Sequence, residues 1–242
     1  MQQTSYRREF FDLQLLFARA ASRCSGMPLA QALMEYTNLY IRFGLGRDFD
    51  PGHPVWREYL EGLRDTGDLD AWTYAFYQSR LPETGVPDIV DRVGCFSYAR
   101  LRSGAIHIHF GNAEEDGVSP LKAGRYQCRM GELRLLFARI REREDPSTQV
   151  HGTSWLYNLP AYRRLFPTRY IASAVDVDGK FRNMSLWGQF IGRGGEIRPA
   201  PANAFKARIA MRTSLDGLRR CFPLRALAVH APVQDFYAFH AL

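Results

Sequence analysis

Apolar residues recur at helical spacing through the first third of the chain and at alternating spacing through much of the rest. In residues 8–23, Phe11, Leu15 and Leu16 share one side of a helix, and Gly26 supplies the stop. Pro28 suits the opening of a second helix over 29–43, with Leu29, Leu33, Tyr36, Tyr40 and Phe43 on one broad face and Gly44 and Gly46 beyond it. Pro54 opens a third, carrying Val55, Tyr59, Leu60 and Leu63 up to Gly67, and Asp68 is placed to cap a fourth that carries Trp72, Phe76 and Tyr77. Residues 81–91, with Pro82, Gly85 and Pro87, read as a linker. Beyond it the period shortens. Residues 95–102 and 105–110 alternate as a hairpin about Ser103 and Gly104. Ser119 and Pro120 predict the start of a long helix reaching residue 144, with Leu133, Leu136, Phe137 and Ile140 inward. A strand is expected over 149–157, a short helix over 160–166, and a second hairpin from 170–177 and 184–191 about Asp178 and Gly179. A helix over 202–221 and strands over 225–230 and 235–240 complete the pattern.

This order predicts an α+β protein. A helical N-terminal region, residues 1–81, would dock on an α+β domain, residues 92–242, built on a mixed, largely antiparallel sheet with covering helices. No repeat or low-complexity tract interrupts it.

Composition narrows the class. With 242 residues, 46% of them apolar and 24% charged, the chain can bury a full core without staples. The aromatic share of 13% predicts a ring-lined core or pocket. Residues 1–9 do not read as a secretory signal, and no apolar run is long enough to span a membrane. Cys24, Cys95, Cys128 and Cys221 are scattered without a Cys-x-x-Cys pair, which suits reduced thiols in the cytoplasm. The net charge of +7 comes from 29 arginines and 3 lysines. Such a skew follows from GC-rich codon usage. Acids interleave the arginines, as in residues 139–144, so a solvated helix face accounts for the charge and nucleic acid is not the expected partner. A small-molecule substrate is.

Three segments carry candidate chemistry. His107 and His109 stand two apart in a predicted strand, so both imidazoles leave the same face and can converge on one metal or substrate. With Glu114 they form His-x-His-x4-Glu, which resembles part of the first metal motif of the cupin family and implies a site for iron, manganese or nickel. That motif is the basis of an alternative reading as a metal-dependent enzyme. In residues 152–164, Ser154, Trp155 and Arg163 are candidate substrate contacts. Thr153, Trp155 and Tyr157 would share a strand face lining a cleft, and Asn158 would cap the next helix. Tyr157 joins His107 and His109 as a candidate catalytic residue. An open aromatic surface near Trp155 would instead favour a non-catalytic binding or scaffold protein. A polar patch of Glu35, Asn38 and Arg42 on the second helix is explained by internal ion pairing as well as by a substrate.

The third segment, Gln189, Phe190, Ile191, Gly192, Arg193 and Gly194, resembles the Gln/Arg-x-x-Gly-x-Gly/Ala pattern of the GNAT superfamily of acyl-CoA-dependent acyltransferases. The resemblance implies that Gln189, Gly192, Arg193 and Gly194 bind the diphosphate of an acyl-CoA co-substrate through backbone amides. It also implies a splayed strand pair with a V-shaped cleft beside Gly192, and a base such as His107 that deprotonates an amine or hydroxyl acceptor. Over most of the chain, the order of Leu45-Gly46-Arg47, Ile106-His107-Ile108, Ser119-Pro120-Leu121 and Ser154-Trp155-Leu156 is similar to bacterial proteins with a helical acyltransferase-like N-terminal part and a GNAT-like C-terminal domain.

Overall fold

The computed structural model describes residues 6–81, 89–114, 116–144, 148–177, 181–182, 184–192 and 194–242. In chain order its elements are α1 (Arg8–Ser25), α2 (Leu29–Tyr36), α3 (Leu39–Arg42), α4 (Pro54–Asp65), α5 (Leu69–Arg80), β1 (Ile89–Val93), β2 (Phe96–Arg100), β3 (Ile106–Phe110), α6 (Tyr126–Arg143), β4 (Gln149–Ser154), α7 (Pro160–Arg163), α8 (Thr168–Ala172), β5 (Val175–Asp176), α9 (Met184–Trp187), α10 (Pro199–Ala210), α11 (Leu215–Arg219), β6 (Leu227–Pro232) and α12 (Val233–His240). The chain is α+β, as its periodicity predicts. Among the described residues, no helix is long and apolar enough to cross a membrane.

The chain divides into two compact units. One comprises Met1–Gly85 and Asp178–Leu224, the other Val86–Val177 and Arg225–Leu242. The first division falls at the expected linker, of which residues 82–88 lie outside the described part. The stretch expected as one domain, 92–242, is interrupted: residues 178–224 belong to the helical unit. Aromatic burial explains this. Phe17 of α1 is fully buried, and its ring lies 5.2–5.8 Å from those of Phe181, Trp187, Phe205 and Phe222, all supplied by the returning segment. Rings of this size contribute most when surrounded by other rings.

Within the helical unit the stops and caps follow the sequence. Gly26 ends α1 in the left-handed conformation, φ 74°, and Asp68 caps α5 by accepting from the amides of Asp70 and Ala71 at 3.1 and 3.0 Å. The single helix expected over 29–43 is broken. Thr37 is extended, and the amide of Asn38 donates to Oε1 of the buried Gln14 on α1 at 2.5 Å, a tertiary bond that replaces the helical one. The patch of Glu35, Asn38 and Arg42 therefore does not share one helix face. Asn38 donates to the Arg182 carbonyl, and Arg42 donates to the Tyr6 hydroxyl and covers its ring.

The second unit is built on a six-stranded sheet of order β1-β2-β3-β4-β6-β5. All neighbours are antiparallel except β3 and β4. One face is the core: Phe96, Tyr98, Ile106, Ile108, Val150, Val229 and Ala231 pack under Leu133, Leu136, Phe137 and Ile140 of α6 and Val233 and Phe236 of α12. Several expected elements differ. Residues 170–177 and 184–191 do not form a hairpin: α8, α9 and a 3-10 turn at Gly188–Phe190 take ten of these sixteen positions, β5 keeps two residues, and Asp178 and Gly179 are not among those described. Residues 235–240 are helical, because Phe236 and His240 reach Phe137 on α6 from one helical face. The 149–157 strand stops at Ser154, whose hydroxyl accepts from the Leu156 amide and turns the chain into a 3-10 helix. Ser119 and Pro120 lie ahead of α6 rather than at its cap, a 3-10 turn at Ala123–Arg125 intervening.

His240 carries a pH-dependent share of the stability. It is 5% exposed and stacked on Phe137 at 5.6 Å. Burial, followed by the positive charge of Arg134, lowers its pKa from 6.5 to about 4. The unfolded chain therefore binds the extra proton between those values, so stability is complete above pH 6.5 and falls as pH drops toward 4. The loss approaches about 3 kcal/mol. Urea titrations of the parent and of His240→Phe should show a steeper acid loss in the parent. Equal slopes would remove this assignment.

Candidate functional site

The two-residue period of β3 places His107 and His109 on one face, as predicted, opposite the core face. Their ring centroids are 4.6 Å apart. Register extends the set. His107 pairs with His151 on β4, and His151 pairs with His230 on β6. The His151 and His230 rings stack at 5.9 Å, and burial, then the neighbouring His230, lowers the pKa of His151. Four of the six histidines in the chain thus line one face of three adjacent strands, with Ser97 and Thr153 on the same face. Sequence reading found only His107 and His109. Cross-strand register, which brings in the other two, leaves no local signal.

β3 and β4 part at this row. They pair with each other only at Ile106↔Val150 and His107↔His151. On its far side β3 stays paired with β2 as far as Phe110, and β4 stays paired with β6 as far as Ser154. Residues 108–110 and 152–154 therefore face a fork in the middle of the sheet, with His107 and His151 at its apex.

Tyr157 does not join this face. It is 3% exposed on the core side, where its hydroxyl and that of Tyr170 are 2.8 Å apart and Tyr162 closes the group. Burial, then the neighbouring Tyr170, raises its pKa well above the ordinary value. Its place is fixed by Gly152: a Cβ there would lie 2.0 Å from the Tyr157 hydroxyl and 2.3 Å from that of Tyr170. Ser154 is a cap, with its oxygen committed to the Leu156 amide. Trp155 sits half-buried in the 3-10 turn, Arg163 is exposed at the end of α7, and the Asn158 amide bonds the Trp155 and Arg225 carbonyls instead of capping α7.

Glu114 is likewise drawn away from the histidines. Its carboxylate lies 2.6 Å from Arg129 and 3.6 Å from Arg125. Arg129 is 2% exposed and also meets Glu132 at 2.7 Å. The Glu114 carboxylate, offered to a metal in the His-x-His-x4-Glu reading, is thus engaged by a guanidinium that it shares with Glu132. Among the described residues, no group of three or more His, Cys, Asp or Glu converges on a metal position.

The segment resembling a diphosphate loop lies in the helical unit, not in the unit that holds the histidines. Gln189 is 3% exposed and its side chain is consumed by the Leu186 carbonyl and by both backbone groups of Leu224. The Gly192 amide donates to the Glu196 carbonyl at 2.7 Å, closing a turn braced by the Ile191↔Ile197 bridge. The Glu196 carboxylate lies against Gly192 where a Cβ would stand, which sets a negative charge beside this turn. Gly194 is exposed, and Arg193 lies outside the described residues. Among the described residues, no splayed strand pair lies beside Gly192, where the chain makes only the Ile191↔Ile197 bridge; the parallel pair whose register ends early is β3 and β4.

A second basic region belongs to the sheet unit. The turn opening α6 and the end of α7 form a shallow depression lined by Leu121, Lys122, Tyr126 and Arg164, with the Arg164 guanidinium 4.7 Å over the Tyr126 ring. No side chain caps the first turn of α6. Comparison with protein-family models, with curated proteins and with solved structures gave no match to this chain.

Proposed function

We propose that the sheet unit is a GNAT-like acyl-CoA-dependent acyltransferase module acting on a small amine or hydroxyl substrate. The observation that supports it is the fork: one parallel pair in an otherwise antiparallel sheet, joined through α6, whose strands separate after two residue pairs. Facing strand edges that are not paired with each other offer backbone donors and acceptors to an extended, amide-bearing chain, and the pantetheine arm of coenzyme A is such a chain.

In this reading the thioester carbonyl sits near the apex. His107 takes the proton from the acceptor as its nitrogen or oxygen attacks the carbonyl carbon; the carbon–sulfur bond breaks and the coenzyme leaves as its thiolate. His109, one step along the same face, orients the acceptor. The diphosphate is assigned to the turn opening α6, with Lys122 and Arg164 as its cations, in place of the Gly192 turn.

Calorimetric titration of the full chain with acetyl-CoA and longer acyl-CoAs tests this. Binding is expected, weakened about tenfold or more by the double substitution Lys122→Ala and Arg164→Ala, since charged hydrogen bonds are worth about 1.5–3 kcal/mol. Both side chains are exposed, so the fold is expected to survive. Absence of heat with every acyl-CoA overturns the proposal.

A further inference from the structure

The buried guanidinium of Arg129 carries two thiols as well as two carboxylates. Nη1 donates to Sγ of Cys95 at 2.7 Å and Nη2 to Sγ of Cys128 at 3.1 Å. Cys95 is 4% exposed in the turn between β1 and β2, whereas Cys128 is exposed in the first turn of α6. Glu132 holds the other side of the group: one carboxylate oxygen accepts from the Cys95 amide at 3.1 Å, and the other lies 3.8 Å from the Cys128 sulfur. Two sulfurs far apart in sequence thus touch neighbouring nitrogens of one cation. Packing alone does not call for this, because the buried Cys95 thiol would sit as well against apolar neighbours and the exposed Cys128 needs no partner for burial.

We propose that Cys95 and Cys128 are a dithiol oxidised by hydroperoxides, with Cys128 as the attacked thiol and Cys95 as the resolving one. Exposure fixes the order, because only Cys128 is open to an incoming peroxide. The Cys128 thiolate attacks one peroxide oxygen; a sulfur–oxygen bond forms, the oxygen–oxygen bond breaks, and hydroxide (or an alkoxide) leaves. Cys95 then attacks the Cys128 sulfenic acid, giving up its thiol proton as it does so; a sulfur–sulfur bond forms and the second hydroxide leaves. Two electrons pass from the sulfurs to the peroxide, and the two thiol protons convert the leaving groups to water. Arg129 compensates the negative charge on sulfur through both steps. The product ties the turn between β1 and β2 to the start of α6.

The test is hydrogen peroxide treatment of the full chain, followed by denaturation, alkylation and mass spectrometry without reductant. The expected product is monomeric, lighter by two hydrogens, and yields one linked peptide pair containing Cys95 and Cys128. Cys24 and Cys221 belong to the other unit and serve as internal controls, fully alkylated. Cys128→Ser is expected to abolish the mass loss, and Cys95→Ser to leave a dimedone-reactive sulfenic acid at residue 128. A parent chain in which Cys128 gains oxygens while Cys95 is still alkylated, or in which the linked pair involves another cysteine, overturns the assignment. It is read on the unsubstituted chain and does not depend on the folding of either variant.

Discussion

Gly152→Ala is expected to cost the sheet unit about 3 kcal/mol or more, enough to leave much of it unfolded under mild conditions. The added methyl would stand 2.0 Å from the Tyr157 hydroxyl and 2.3 Å from the Tyr170 hydroxyl, well inside contact distance. Neither oxygen can retreat cheaply. They bond each other at 2.8 Å, their rings are packed with Phe166 and Phe236, and both tyrosines are at most 3% exposed. The strand has little room to yield either: Gly152 is registered with Val229 of β6, and the residue before it, His151, is held by both His107 of β3 and His230 of β6. Removing an offending oxygen should restore part of the loss. Tyr157→Phe alone costs about 1 kcal/mol for the hydrogen bond, yet combined with Gly152→Ala it should be less damaging than the sum of the two. Urea unfolding of the four species measures this coupling, and strict additivity would show that the hydroxyls do not exclude a Cβ.

Arg129→Met should be comparably severe, for an electrostatic reason. Glu114 and Glu132 are about 15% and 14% exposed as side chains and share that one buried cation. Deleting it leaves Glu132 without its buried cation and Glu114 with only Arg125 at 3.6 Å, a loss of about 3–5 kcal/mol for a broken buried ion pair. The shape of methionine is close enough that volume is not the issue. The signature is coupling: Glu132→Gln, which removes one of the two charges, should cost less in the Arg129→Met background than in the parent, as urea unfolding of the four species would measure. Strict additivity of the two substitutions would assign the role of Arg129 to packing of its stem. Lysine at the same position should recover part of the stability but not the forked contact to both acids.

How far the sequence prescribes these features depends on whether their cause is local. Gly26, Pro54 and Asp68 act within a few residues of themselves, and the helices they bound are those expected. His107 and His109 share a face because a strand alternates, whatever lies beside it. The misread segments are those whose partners are remote. Residues 235–240 alternate well enough for a strand but become a helix because Phe236 and His240 find Phe137 on α6. Residues 184–190 are helical where an aromatic cluster about Phe17 takes up Trp187 and Phe190. His151 and His230 were invisible as site residues for the same reason, since register alone brings them to His107. Gln189 and Gly192 matched a short pattern whose meaning depends on free amides and an open side chain, and tertiary bonds have already claimed both.

The sheet order has a consequence for synthesis on the ribosome. β6 lies between β4 and β5 yet follows every other strand in the chain, separated from β5 by residues that serve the helical unit. As the nascent polypeptide emerges, β1, β2 and β3 can zip together at once, whereas β4 must wait with one flank bare until β6 has cleared the exit tunnel. Over that interval the row of imidazoles is incomplete and an unpaired strand edge is exposed. The nascent chain is thus first a finished hairpin ladder with an unfinished centre, the stage at which chaperone capture and strand-exchange dimers are expected to compete with completion.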